Sequence, residues 1–257
     1  MLFRSQNALL FTNYLISQYK ATGRIEEGAY MVKTIVTTEL MKKIADRNGI
    51  ECFDVYTGFK WIAAVMRELE GKRQYIGGGE ESYGFLVEDF VRDKDAVSAC
   101  AMMAEIAAWA KDNGKTMYEL LQDIYVEYGF SKEKGISVVR KGKSGAEEIE
   151  AMMKNYREHP ITEIAGSKVV LTKDYATLVA QDIVAGEKFT LNMPTTSNVL
   201  QYFTEDGTKV SIRPSGTEPK IKFYIEVSGE LPSRADYDKA VIAAEEKIKA
   251  VAASLGV

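Results

Sequence analysis

The sequence predicts an α/β fold in which an α/β/α layered domain is followed by a smaller α+β domain. Three observations predict it. Strand-like and helix-like stretches alternate through the first 160 residues, the pattern of a sheet covered by helices. Beyond Pro160 strands follow one another and a single long helix closes the chain. The length of 257 residues, with 46% hydrophobic and 27% charged side chains, is ordinary for a globular chain and sufficient for two cores. The expected domains are 1–160 and 161–257.

In order, Leu9, Leu10, Tyr14, Leu15, Ile16 and Tyr19 recur at helical spacing, so a helix begins close to Met1. Met31–Thr37 reads as a strand, and Glu39–Asn48 as a helix stopped by Gly49. Ile50–Tyr56 is a strand and Phe59–Leu69 a helix, parted by the Thr57-Gly58 turn. A short strand, Arg73–Ile76, leads into the glycine cluster Gly77–Gly79. Asp95–Asn113 is expected as a helix buried on several sides, because Val97, Ala99, Cys100, Met102, Met103, Ile106 and Trp109 surround it. Capping boxes open two more helices, one at Thr116 and Glu119 and one at Ser144 and Glu147. The second ends before His159-Pro160. Past Pro160, Lys168–Thr172 and Asn198–Thr204 look like strands. Asp206-Gly207 turns a hairpin into Val210–Ile212, Lys220–Val227 alternates as a half-buried strand, and an amphipathic helix spans Asp236–Ser254.

Composition excludes several functions. Thirty-three basic residues against 37 acidic ones give −4, which offers no general attraction for nucleic acid or an anionic membrane. The longest charge-free run, Phe189–Thr204, is too polar to span a bilayer, and the N-terminus lacks the apolar core of a signal peptide. Two cysteines, Cys52 and Cys100, form no disulfide framework and read as core, pointing to a reducing, cytoplasmic setting. His159 is the sole histidine, which removes histidine-based metal clusters and most general-base triads. Gly142-Lys143-Ser144 and Gly114-Lys115-Thr116 mimic the end of a P-loop, but the upstream glycine is replaced by Ser137 and Trp109.

Two loops carry opposite charge. Ile76–Asp95 holds six acids and two bases, and Lys209–Lys222 holds four bases and one acid. In the basic loop, Arg213 offers a planar fork for phosphate oxygens, Ser215 and Thr217 add hydroxyls, and Gly216 lets backbone N–H groups turn inward. The same residues also suit a tight turn between strands. In the acidic loop, Gly77-Gly78-Gly79-Glu80-Glu81-Ser82-Tyr83-Gly84, a carboxylate beside a hydroxyl suits sugar hydroxyls, which both donate and accept. Composition alone favours a flexible surface turn with solvated acids.

Together, Gly79–Gly84, Arg92-Asp93-Lys94-Asp95 and Arg213–Lys220 resemble the α-D-phosphohexomutase family, closest to its phosphoglucomutase branch; Thr57-Gly58-Phe59-Lys60 adds to the likeness. The resemblance covers the whole chain and implies the family's third and fourth domains. It gives Glu80 and Ser82 to the sugar hydroxyls. Arg213, Ser215, Gly216 and Thr217 go to the non-reacting phosphate. Lys94 becomes a catalytic acid/base or charge stabiliser, and Lys60 a weaker candidate for the cleft.

The family's phosphoserine loop and Asp-Gly-Asp metal loop have no counterpart here. The resemblance therefore implies no cofactor or metal in this chain, with Mg²⁺ in an N-terminal half that it lacks. The implied partners are hexose phosphates (glucose 1-phosphate, glucose 6-phosphate and the 1,6-bisphosphate). The implied chemistry is a phosphate shift between C1 and C6, with the chain silent alone. A non-catalytic sugar-phosphate-binding module is the alternative.

Overall fold

The computed structural model describes residues 4–140, 142–216 and 218–257. They fall into two units. The first is the chain to Phe130 together with Glu230–Tyr237, and the second is Ser131–Gly229 with Asp238–Val257. This division comes well ahead of the one expected near Pro160. The reason lies in β5 (Phe130–Val139) and α6 (Gly142–Glu158): β5 pairs with β12 (Lys220–Gly229) and α6 packs on that same strand, so both belong to the second sheet.

The first unit is built on four strands in the order β2-β1-β3-β4: β1 (Tyr30–Thr34), β2 (Glu51–Val55), β3 (Tyr75–Gly79) and β4 (Phe85–Val87). β1 runs parallel to β2 and β3, and β4 returns antiparallel to β3. Every residue of β1 and β3 is buried, as expected for parallel strands covered on both faces. On one face Phe59, Ile62 and Met66 of α3 (Phe59–Leu69) pack with Tyr30, Val32, Val55, Tyr75 and Leu86. On the other, Phe85, the neighbour of Leu86, stacks on Phe11 of α1 (Arg4–Ala21) with ring centroids 4.5 Å apart. The expected α/β/α layering is therefore present.

α2 (Glu39–Arg47) ends at the cap Asn48, with Gly49 at φ +74. α5 (Met117–Tyr128) opens with the reciprocal Thr116–Glu119 box. Three readings need correcting. The glycines Gly77–Gly79 are part of β3, not a loop after it; a Cβ on Gly78 would lie 2.3 Å from the Val32 carbonyl oxygen, so β1 and β3 approach too closely for a side chain there. α4 (Ala96–Asp112), capped by Asp95, is not buried on several sides: Ile106 and Ala110 are its buried residues, and Val97 is 80% exposed. Though apolar all round, it packs on α1, α5 and β4 and buries only Ile106 and Ala110 fully. Cys100, on its outer side, is exposed rather than core, while Cys52 is buried.

The second unit carries one sheet, in the order β5-β12-β11-β10-β7-β8-β9, with β6 (Glu163–Ile164) paired to β7. The further strands are β7 (Ser167–Asp174), β8 (Val179–Asp182), β9 (Glu187–Thr190), β10 (Leu200–Thr204) and β11 (Lys209–Pro214). The expected hairpin joins β10 to β11, with Gly207 at φ +81. On β12, Ile221, Phe223, Ile225 and Val227 are buried as the alternation requires. Glu226, on the opposite face, is buried too, 3.5 Å from the Lys209 ammonium that faces it across the ladder. α6 begins at Gly142, ahead of the Ser144 cap read from sequence. One 3₁₀ turn, Arg234–Asp236, precedes α7 (Tyr237–Ser254).

Candidate functional site

Three parallel strands of the first unit end at one edge of the sheet, and the loops beyond their carboxyl ends lie together, the usual place for a ligand in an open α/β sheet. The five-residue turn between β3 and β4, Glu80–Gly84, is closed by the Glu80 N–H donating to the Gly84 carbonyl at 2.8 Å. Glu80 is only 7% exposed. Its Oε1 accepts from the backbone N–H of Gly58 at 2.5 Å, and its Oε2 lies 3.4 Å from the Ser82 hydroxyl.

Gly58 is the N-cap of α3, so the carboxylate sits at the positive end of that helix. Each carboxylate oxygen has a second lone pair, so both keep the capacity to accept a further hydroxyl. Glu81 points inward and accepts from the Thr34 hydroxyl at 3.1 Å. Tyr83 stands at φ +68 and is 55% exposed. Gly84 is required, since a Cβ there would fall 2.5 Å from the Phe59 ring.

Phe59 also joins this turn to Lys94. The Lys94 ammonium lies 5.6 Å from the Phe59 ring centroid and 3.2 Å from the Asp93 carboxylate, and it is solvent exposed. Gly84 and Lys94 thus both lie against the Phe59 ring, next to the Gly58 amide that holds Glu80. Lys60, exposed on the first turn of α3, holds its ammonium 5.0 Å from the Trp61 ring.

Sequence reasoning missed several supports: the amide of Gly58, the Phe59 ring, Thr34 with Thr37, and Lys33. The last is fully buried on β1, with its ammonium 2.7 Å from Asp54 and 3.0 Å from Glu39. Burial alone would push its pKa down. The two carboxylates outweigh that and hold it well above the ordinary lysine value. A lysine inside the apolar run Tyr30-Met31-Val32-Lys33 was the signal available.

In the second unit the β11–β12 turn is held by Ser215 N–H to the Lys220 carbonyl at 2.8 Å and by Arg140 N–H to the Pro219 carbonyl at 2.9 Å. Ser215 and Gly216 border a cavity of about 600 Å³, with Gly142, Ile149 and Met153 of α6 and Pro214 and Lys220 among its other walls. Arg213 is not among them. It pairs in register with Lys222, whereas Pro214 pairs with Ile221, so successive residues alternate between the two faces of the ladder. Thr217 lies outside the described residues. Glu218 forms an ion pair with Lys220, which holds its carboxyl below the ordinary value.

Among the described residues no group of three or more His, Cys, Asp or Glu side chains is arranged to hold a metal ion. Nor is any described helix long and apolar enough to cross a membrane. His159 is exposed, its N–H bonded to Asn155.

The first unit is a layered α/β fold with a carboxylate–hydroxyl turn at its strand ends, and the second is a sheet unit with a basic turn. Two family models match. Phosphoglucomutase/phosphomannomutase alpha/beta/alpha domain III covers residues 5–128, and the phosphoglucomutase/phosphomannomutase C-terminal domain covers 136–244. The chain belongs to the phosphoglucomutase/phosphomannomutase family.

Similar proteins include a phosphoglucomutase of Staphylococcus aureus, 38% identical over 221 residues, and one of Staphylococcus haemolyticus, 35% identical over 198 residues. The matches cover 86% and 77% of this chain but only 39% and 36% of those proteins, so the chain spans well under half their length. The fold is similar to a crystal structure of the Paramecium phosphoglucomutase parafusin, with a TM-score of 0.60 at 18% identity, covering 98% of this chain and 42% of that one. A Thermus thermophilus structure described as a phosphomannomutase has a TM-score of 0.56 at 16% identity, over 96% of this chain and 39% of that one.

Proposed function

We propose that the chain carries the substrate-recognition part of a phosphoglucomutase/phosphomannomutase, which interconverts hexose 1-phosphate and hexose 6-phosphate through a bisphosphorylated sugar. Glu80 and Ser82 read the sugar hydroxyls. Arg213, Ser215, Gly216 and Thr217 hold the phosphate that is not reacting. Lys94 supplies positive charge or a proton near the transferring group. The phosphoserine and the Mg²⁺ site belong to parts of the family's enzymes other than these two units, and the two units alone give no mutase turnover. Its unpaired cysteines and acidic balance suit work in the cytoplasm.

The observation that carries this reading is the buried Glu80 carboxylate, aimed by the Gly58 amide and paired with Ser82. A carboxylate withdrawn from water costs free energy unless donors hold it, and here they hold it beside the exposed end of the sheet. Phosphoryl transfer depends on positioning and charge neutralisation, which such a site provides without a nucleophile of its own. Calorimetric titration tests the reading: the chain should bind glucose 6-phosphate more tightly than inorganic phosphate, and Glu80→Ala should erase the difference. Equal affinities in the unsubstituted chain would overturn it. Turnover by the chain with Mg²⁺ and glucose 1,6-bisphosphate would overturn the assignment of chemistry to segments outside it.

A further inference from the structure

The consecutive glutamates of the β3–β4 turn face different partners. Glu80 meets Gly58 and Ser82, whereas Glu81, 8% exposed, meets Thr34 at the carboxyl end of β1. Thr34 is fully buried, and so is Thr37, whose hydroxyl lies 2.9 Å from that of Thr34. A hydroxyl has one hydrogen to give, and an ionised carboxylate only accepts. With the Thr34 hydrogen directed to Glu81, that of Thr37 points to Thr34, giving a directed chain Thr37 to Thr34 to Glu81.

We propose that Thr34 and Glu81 are positioning residues for the sugar-reading pair Glu80 and Ser82, an inference that rests on the sugar-reading assignment of that turn. Glu81 stands between the two readers, so fixing its side chain inward fixes the peptide that carries both. The turn needs such a hold. Tyr83 is kept at φ +68, a conformation that costs energy for a bulky side chain and persists only where surrounding contacts impose it. The pairing of β1 with β3 brings Lys33 opposite Gly79, which places Thr34 beside the start of the turn. Charge is not what Thr34 contributes; it offers a directional bond in a dry place, where a misplaced carboxylate has no water to turn to instead.

The test uses the full chain and the ratio of its affinities for glucose 6-phosphate and inorganic phosphate. Thr34→Val keeps the side-chain shape and removes the hydroxyl, and it should weaken glucose 6-phosphate about five- to tenfold while leaving inorganic phosphate unchanged. Thr34→Ser restores the hydroxyl and should restore the ratio to within about twofold. If thermal unfolding shows that Thr34→Val does not fold, Glu81→Leu carries the same expectation from the other end of the bond. A ratio unaltered by Thr34→Val, or by Glu81→Leu in its place, overturns the anchor alone. An unsubstituted chain with no preference overturns the sugar assignment and this inference with it.

Discussion

The turn at Glu80–Gly84 and the turn at Ser215–Lys220 are held by different means, which suits the two tasks proposed for them. The first has Glu80, Glu81 and Gly84 buried, with Ser82 and Tyr83 exposed, and is tied to distant chain through bonds that span 22 residues to Gly58 and 47 to Thr34. The second is largely exposed, held by its own backbone and by Arg140, and its charge is carried by long side chains near water. Hydroxyl recognition depends on direction, which only a fixed frame supplies. Holding a dianion depends more on the sum of positive charge, which tolerates exposure and some freedom.

If that contrast is right, adding one methyl group should act very differently in the two turns. A Cβ on Gly84 meets the buried Phe59 ring at 2.5 Å, whereas one on Gly216 has nothing within 4 Å. Gly84→Ala should destabilise the first unit by about 1–3 kcal/mol in urea unfolding. Gly216→Ala should change stability by less than about 0.5 kcal/mol. Equal effects would erase the distinction between a built and an open turn.

Charge should matter most in the second turn. Arg213→Ala is expected to weaken phosphate binding about tenfold in titration calorimetry without moving the melting temperature, since hydrogen bonds to charged groups contribute roughly 1.5–3 kcal/mol. Raising the salt should reproduce part of that loss, because exposed charges are screened. A variant that binds phosphate as before would leave Arg213 as an ordinary strand residue.

A smaller effect concerns acid. Burial pushes the Asp206 carboxyl up, but bonds from Lys247, Thr204 and Thr208 outweigh it and hold its pKa well below the ordinary value. Its contribution to stability is present above the unfolded value of about 3.9 and is lost as pH falls below that. Asp206→Asn should therefore lower stability at neutral pH, by less than about 1 kcal/mol because the pair is partly exposed, and should flatten the decline below pH ~4. An unchanged acid slope would remove Asp206 as its source. Least disruptive of all, alkylation at neutral pH should label exposed Cys100 and spare Cys52, whose thiol burial pushes up to about 12, without altering the melting temperature.

The same contrast governs what could be read from the chain alone. α3 and the capped start of α5 were legible because local signals decide them: a Thr-Gly turn before an apolar stripe, and a threonine three residues ahead of a glutamate. β5 was not, because Ser131–Lys134 is a polar run, most of the strand is half-exposed or exposed, and its partner β12 lies far along the chain. The glycines of β3 looked like a loop because the reason for them, close approach to Val32, is tertiary. Glu80 and Ser82 were visible as a motif. Glu81 was indistinguishable from its neighbour, since only the fold brings Thr34 to it.

The most direct measurement is an amide chemical-shift titration of the whole chain with two ligands. Inorganic phosphate should move the amides of Ser215 and Gly216 and leave those of Gly58 and Glu80–Gly84 in place, whereas glucose 6-phosphate should move both sets. Identical shift patterns for the two ligands, or a Glu80–Gly84 turn indifferent to the sugar, would contradict the account.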